Sequence, residues 1–497
     1  MADMADVTTP TAGSLAIDHR MHIAGQWVEA ALGKRMEAQS PATGEAIGTV
    51  PEGTREDVQR AIGAAADSWR QWASESAFTR AAALRRVAEL IAERREQLAL
   101  TLSLDQGKPL HSEAQDEISE LIVYFEMASA DATRLEGSMP PSVAANKRIL
   151  AYRVPRGVVG IITPWNWPYT MPAEMIAPAL AAGNAVVWVP APTTAICAVK
   201  LAECIVDAGF PPGVFNMVTG LGPVVGDEVA GNPGTCAVGF IGSIATGYSV
   251  ARRAAGKALL LEMGGNGPMI VLDDADVEAA VEASLAASFL CAGQSCTAGE
   301  RYLVHHAVHD EFVAKLRSAI DRDIRLGDPL QPQTTMGPLN NEPTAAKMDR
   351  HLADALERGA TLVTGGHRAS GFPTELYYQP TVLDGVSDAM EVAQEETFGP
   401  IIPITTIGSD AEALEALDAS PYGLLAAVWT RDLARGLRFA ERARAGWVNI
   451  NESTNYWESH LPFGGRAGSQ SGVGRVGGRH SLETFTELKT VVISLEK

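Results

Sequence analysis

The sequence predicts an α/β protein built from two large domains, on the strength of its length and of two long runs of strand-helix alternation. At 497 residues the chain exceeds what one hydrophobic core organises, given a prior of roughly 100–200 residues per domain. Two large domains with smaller appendages follow, with a cleft between them. From about 157 to 274, short apolar runs rich in Val and Ile at 158–163, 185–189, 214–218, 237–241, 258–262 and 269–272 alternate with helical stretches. Such alternation reads as a parallel sheet covered by helices on both faces. After 274 the alternation resumes with a helix through 290, a glycine-containing loop at 292–299, a strand at 301–305 and a helix at 309–320. Beyond a mixed region to about 387, further strands at 401–407, 424–429 and 447–450 complete a second α/β unit.

Three earlier stretches, 55–72, 80–102 and 112–132, carry helical periodicity with charged faces and are expected as surface helices on a core. The segments 149–153 and 490–495 are β-rich and lie outside both alternating blocks. They are expected to pair with the sheet edge of another subunit, which implies an oligomer. Roughly the first dozen residues are the one stretch whose composition suggests disorder.

Forty basic residues against 60 acidic ones leave a formal charge of −20, which repels phosphate backbones and anionic membrane surfaces. Neither nucleic acid nor membrane is expected as a partner. The apolar stretches 175–189 and 279–292 are broken by Asn184 and Glu282 and are too short to span a bilayer. Residues 1–20 carry Asp3, Asp6 and Asp18 and no long apolar run after a basic start, so they do not read as a secretory signal. A cytoplasmic protein is expected. Five cysteines, with no CxxC pair and no Cys/His cluster, argue against a disulfide framework and against a metal site. At least one cysteine is free to react.

Cys296 lies in Gly293-Gln294-Ser295-Cys296-Thr297-Ala298-Gly299, where small polar neighbours leave a thiol accessible. It reads as a nucleophile or as part of a turn, whereas Cys197 and Cys204 recur at i and i+7 of an apolar helix and read as packing residues. Cys291, just past an apolar helix, is left open between packing, lining a pocket and assisting. Glu262 ends the apolar strand Leu259-Leu260-Leu261-Glu262, where desolvation would raise its pKa and suit base catalysis; the alternative is a carboxylate emerging into solvent. Gly242 and Ser243 fall at a strand-helix junction, which suits either a pyrophosphate or an ordinary helix start. In Pro164-Trp165-Asn166-Trp167-Pro168, two prolines bracket a rigid loop in which the Asn166 amide would face a developing oxyanion or satisfy its own turn.

Together these stretches make the chain resemble the aldehyde dehydrogenase superfamily over nearly its whole length. The matching segments run in the family's order: Gly160-Ile161-Ile162-Thr163-Pro164-Trp165-Asn166-Trp167-Pro168, Pro178-Ala179-Leu180-Ala181-Ala182-Gly183-Asn184 and Leu261-Glu262-Met263-Gly264-Gly265. Then come Gly293 to Arg301, Glu395-Glu396-Thr397-Phe398-Gly399-Pro400 and Pro462-Phe463-Gly464-Gly465. The resemblance implies a Rossmann-type cofactor domain at 1–136 and 156–264, an α/β catalytic domain at 265–465, and small β oligomerisation segments at 137–155 and 480–497. It implies a homodimer or homotetramer acting on a small-molecule aldehyde.

By the same resemblance, Cys296 attacks the aldehyde, Asn166 and the Cys296 backbone N–H hold the oxyanion, and Glu262 deprotonates the water that releases a carboxylic acid. Trp165, Gly242, Ser243, Glu396 and Phe398 match cofactor-binding positions. Trp167, Glu174 and Trp457 match or neighbour substrate-tunnel positions. The family usually carries a lysine and a glutamate at the adenine ribose where this chain has Val189 and Pro192. A 2′-phosphate then lacks a cationic partner, so NAD is expected as cofactor; with no glutamate to repel it, NADP is admitted. Glu174 and Met175 stand where the family often has tryptophan and lysine. An acid among aromatics suits a cationic or hydroxylated aldehyde, unless Glu174 simply faces solvent. The link from Gly465 to Ser471-Gly472 is about two residues longer than the family's, so a loop near the tunnel mouth is expected to differ in shape. Two other readings remain: a coenzyme A-acylating enzyme, against which Glu262 speaks, and a non-catalytic protein retaining the fold.

Overall fold

The computed structural model describes residues 18–495, and most of the N-terminal region read above for disorder and for a signal lies outside them. Two open sheets dominate the described residues. The first has eight strands in the order Gly472–Val473, Ala258–Met263, Ala237–Gly242, Val158–Ile162, Ala185–Val189, Phe215–Met217, Met21–Ile23 and Gln26–Val28. The five from Ala258–Met263 to Phe215–Met217 run parallel, and antiparallel strands close both edges. Val158–Ile162 has parallel neighbours on both sides that come later in the chain, so the winding order reverses there. In open α/β sheets the crevice outside the carboxyl ends of strands at such a reversal is where ligands bind.

The second sheet has seven strands in the order Thr361–Thr364, Thr381–Asp384, Ile401–Ile407, Gly299–His305, Gly267–Val271, Leu425–Trp429 and Trp447–Ile450. All pairs except the first are parallel. Burial explains their composition: Ala185–Val189, Gly267–Val271 and Leu425–Trp429 are buried at every position, so they read as continuous apolar runs rather than as alternation. One apolar cluster joins the first sheet to its covering helices through Ile161, Val186, Trp188 and Phe125, and a second lies around Met269, Val304 and Ile404. The helix Thr170–Ala181 is buried at every residue but Met171, as its nearly unbroken apolar sequence requires.

Several elements depart from the sequence reading. Strand 269–272, read with the first block, is Gly267–Val271 and sits in the second sheet, so the chain crosses between sheets at Gly264-Gly265-Asn266. The single helix expected over 80–102 is two, Ala77–Glu93 and Arg95–Asp105. Arg94 leaves helical geometry between them, and its guanidinium binds Asp207 at 2.5 Å. The stretches Lys147–Pro155 and Thr486–Ser494, which contain the segments expected at a subunit contact, form with each other an antiparallel ribbon in nine-residue register. Sequence reading missed the edge strands Met21–Ile23, Gln26–Val28 and Gly472–Val473 and the ribbon Arg35–Gln39 with Ala46–Pro51.

Candidate active site

Cys296 is placed by a strained turn. The helix Val277–Phe289 gives way to a tight turn in which Cys291 and Ala292 both take φ of +53°, a left-handed conformation costing roughly 1–3 kcal/mol for each such residue. Hydrogen bonds hold it. The Gln294 side chain donates to the Cys291 carbonyl at 2.8 Å and accepts from the Asn340 N–H at 2.8 Å, and the Cys291 N–H donates to Glu113 at 3.0 Å. Gln106 donates to the Cys291 sulfur at 3.2 Å, so this buried thiol is engaged in structure.

The reversed chain then passes against the crossover between the sheets. A Cβ on Gly265 would lie 2.2 Å from the Cys296 carbonyl oxygen, so only glycine admits this approach. Cys296 keeps part of its surface open and lines two cavities, of about 220 Å³ and about 200 Å³. Glu262, Ile241 and Met171 line both as well, so the four residues form the wall where the cavities meet.

Glu262 ends strand Ala258–Met263, opposite Gly472 in the edge pairing, and does not emerge into solvent. It is 5% exposed, and neither carboxylate oxygen has a hydrogen-bond partner among the described residues. Gly464, at φ of +148°, packs so closely that a Cβ there would lie 2.5 Å from the Glu262 Oε1. Burial, and after it the Glu174 carboxylate, hold the Glu262 carboxyl well above the usual range, with Arg475 acting the other way. The Cys296 thiol is likewise pushed up by burial, then by Glu396, Glu262 and Glu174, while its own backbone N–H works against them. The Asn166 amide follows strand Val158–Ile162 and donates one N–H to the Gln294 carbonyl at 2.9 Å, which leaves its second N–H for a ligand.

The smaller cavity opens at the winding reversal. Pro164, Trp165, Asn166, Gly242, Ser243 and Gly264 line one side, and Lys347, Glu396 and Phe398 the other. Ser243 caps the helix Ile244–Arg253, accepting from Thr246 N, so the first-turn N–H groups face this crevice. Glu396 accepts from the Gly265 N–H at 2.9 Å; burial raises its carboxyl to about 7 against the pull of Lys347. Phe398, at φ of +63°, meets Trp165 edge-on with ring centroids 5.5 Å apart. The Thr397 and Phe398 N–H groups donate to the Glu300 carboxylate, the latter at 2.7 Å. Val189 is buried in its strand and Pro192 opens a short 3-10 turn, so neither brings a charge.

Trp167, Glu174 and Trp457 all line the larger cavity. The solvent-facing alternative for Glu174 is overturned: the residue is 6% exposed, because it lies on a helix covered on all sides. Sequence reading missed Glu120, Tyr124 and Phe463 here and Lys347 in the other cavity. Only the charge of Glu120 and Lys347 within helical stretches hinted at them. It also missed Gln294 as the residue that ties Asn166 to the Cys296 turn, although Gln294 stands in the quoted motif.

A dinucleotide-type crevice and a small, partly apolar cavity meet at a wall that holds a cysteine and a buried carboxylate, an arrangement of the kind found in dehydrogenases. The chain matches the model of the aldehyde dehydrogenase family over residues 27–491, and it belongs to that family. It is 38% identical over 477 residues to the NADP(+) succinate-semialdehyde dehydrogenase of Escherichia coli (strain K12), covering 95% of this chain and 97% of that one. The crystal structure of succinate-semialdehyde dehydrogenase from Burkholderia pseudomallei superposes with a TM-score of 0.94 at 38% identity, over 99% of this chain and 100% of the other. That of betaine aldehyde dehydrogenase from Staphylococcus aureus in complex with NAD+ gives 0.93 at 34% identity, over 96% of this chain and 95% of the other. The chain is thus an oxidoreductase that converts an aldehyde to a carboxylic acid with NAD or NADP as acceptor.

Proposed function

We propose that Cys296 is the nucleophile, Glu262 the base and Asn166 the oxyanion donor of this oxidation. The observation that carries the assignment is the shared wall: Cys296 and Glu262 are the two reactive side chains that line both cavities. Cys296, its thiol proton released to solvent water, forms a carbon–sulfur bond to the aldehyde carbonyl as the carbonyl π bond opens onto oxygen. The oxygen that becomes negative is met by the free N–H of Asn166 and by the Cys296 backbone N–H. The residues present fit a nicotinamide dinucleotide: the Ser243-capped helix offers N–H groups to a pyrophosphate, and the Glu396 carboxylate and Phe398 ring face the same crevice near Cys296. When bound, the nicotinamide supplies the acceptor for the hydride that turns the thiohemiacetal into a thioester.

Glu262, with both oxygens unpaired, then takes a proton from water as that water's oxygen attacks the thioester carbon. The carbon–sulfur bond breaks, the acid leaves and the thiol is restored. Coenzyme A as acyl acceptor would leave this buried base without a task, which favours hydrolysis. The test is Glu262→Gln mixed with aldehyde and NAD: one equivalent of reduced cofactor should form per site, and intact-mass analysis should find the acyl group on Cys296. A chain that turns over with no acyl adduct in this variant rules out the assignment.

We further infer that NAD is the preferred cofactor with NADP accepted, since Val189 and Pro192 neither attract nor repel a 2′-phosphate. The domain limits stated above are proposed to hold, with the antiparallel ribbon as the oligomerisation element of a homodimer or homotetramer. Supporting that role, the ribbon leaves Leu488, Val492 and Ile493 exposed at 67%, 56% and 42%. A cytoplasmic location is proposed from the charge and composition; among the described residues no helix is long and apolar enough to cross a membrane.

A further inference from the structure

We propose that the substrate is a short aldehyde whose far end carries a positively charged nitrogen, held by Glu174 and Glu120 and by the aromatic walls of the larger cavity. This rests on the oxidation reading above and adds the charge of the substrate to it. Among the described residues, the cavity is lined by Glu120, Glu174 and Glu262 and by no lysine or arginine. Glu174 is 6% exposed; among the described residues nothing hydrogen-bonds its Oε1, and the Tyr124 hydroxyl interacts with its carboxyl. A buried carboxylate left unpaired is costly, and buried charges are ordinarily answered by a partner. No basic side chain among the described residues lines the cavity, so the buried Glu174 carboxyl, beside the Tyr124 hydroxyl, keeps its proton near neutrality until an entering cation lets it ionise. A carboxylate-bearing aldehyde would meet three carboxyl groups and no cation, and a neutral one would give Glu174 nothing against which to ionise.

The rest of the wall suits a cation equally. Trp457 packs with its ring centroid 5.5 Å from Phe463 and 6.4 Å from Tyr124, and all three line the cavity. Aromatic faces attract ammonium groups through their quadrupole. Trp167 already does so: the Lys108 ammonium lies 3.7 Å from its ring centroid. That lysine is answered by Glu117 at 2.5 Å and does not line the cavity, so its charge is not offered to a substrate.

The carboxylates also act on one another in sequence. Burial and then the Glu120 charge raise the Glu174 carboxyl to about 8, and Glu174 in turn raises both Glu262 and Cys296. A cation bound at Glu174 thus relieves the two reacting groups as well. At about 220 Å³ the cavity falls below the roughly 300–1,000 Å³ of drug-sized sites, which limits the substrate to a short chain.

The test is kcat/KM of the full-length protein with NAD for four aldehydes of one length: 4-(trimethylammonio)butanal, butanal, 4-hydroxybutanal and 4-oxobutanoate. The ammonium compound should exceed both neutral ones by roughly tenfold or more and 4-oxobutanoate by a wider margin. Glu174→Gln should cut the ratio of cationic to neutral substrate by about tenfold, and Glu120→Gln by a smaller factor in the same direction. A neutral aldehyde or 4-oxobutanoate that matches the ammonium compound overturns the proposal, as does a ratio unmoved by both variants.

Binding gives a second readout independent of turnover. In Cys296→Ala, 4-(trimethylammonio)butan-1-ol should quench tryptophan fluorescence at concentrations where butan-1-ol does not, and adding Glu174→Gln should weaken it. Equal binding of the two alcohols also overturns the proposal. If no aldehyde is oxidised while the cationic alcohol binds through Glu174, the oxidation reading falls and the charge reading stands.

Discussion

Glu262 at the end of a first-sheet strand and Glu300 at the start of a second-sheet strand meet the same environment with opposite solutions. They are 5% and 2% exposed, and burial first of all holds both carboxyls well above the ordinary range. Glu300 receives the N–H groups of Thr397 and Phe398, and so fixes the loop that carries Glu396 and Phe398 into the cofactor crevice. Glu262 receives nothing. The comparison separates a carboxylate whose desolvation is offset within the fold from one left available to a reacting proton. Equal burial and equal direction of pKa shift do not distinguish them; hydrogen-bond satisfaction does.

The comparison presupposes the sulfur, so its largest test is Cys296→Ala. Aldehyde oxidation, followed by absorbance of the reduced cofactor, should fall on the order of 10⁴-fold or more, as when a nucleophile is removed elsewhere. Next, Glu262→Gln should lower steady-state turnover by about 10²–10⁴-fold while the single-turnover burst survives. A Glu300→Gln enzyme that loses turnover in this pattern would erase the distinction. Asn166→Ala should slow the burst itself by roughly 10²–10³-fold, because the lost donor serves the first oxyanion.

Glu300→Ala should instead appear in stability. It leaves two buried N–H groups without acceptors, at about 1–3 kcal/mol, read as a lower midpoint in denaturant. The smallest effect concerns pH. Glu262 accepts a proton only when ionised, and its pKa is raised, so the hydrolytic step should rise with pH through a limb above the usual carboxylate range. Glu174→Gln removes the second cause of that rise and should move the limb to lower pH, though burial keeps it above the ordinary value. A limb that stays put, or moves up, contradicts the electrostatic link between the two residues.

Local chemistry made much of this legible in the sequence. The buried parallel strands announce themselves as Val- and Ile-rich runs; Cys296, Glu262, Asn166, Glu396 and Phe398 stand in the stretches that carry the family resemblance, and Gly242 and Ser243 at a strand-helix junction. The structure brings all seven to the two cavities or their shared wall. What escaped was set by contacts distant in sequence. Nothing in 147–155 says that it pairs within the chain with Thr486–Ser494, because β-propensity does not encode pairing. Arg94 ends a helix inside a pattern that is helical on both sides, and its ion pair with Asp207 has no local signature. Glu120 and Glu174 lie on different helices, so their convergence on one cavity is a property of packing alone.

The two-residue edge strand Gly472–Val473 has a bearing on biosynthesis. It pairs with Leu261 and Glu262, yet it emerges from the ribosome long after them. Until it does, the nascent polypeptide carries an uncovered sheet margin beside Glu262, the kind of margin that recruits stray strands. The wall between the two cavities is therefore among the last features a newly made chain completes, and a translation product stopped short of Gly472 would hold Glu262 without the backbone that pairs with it.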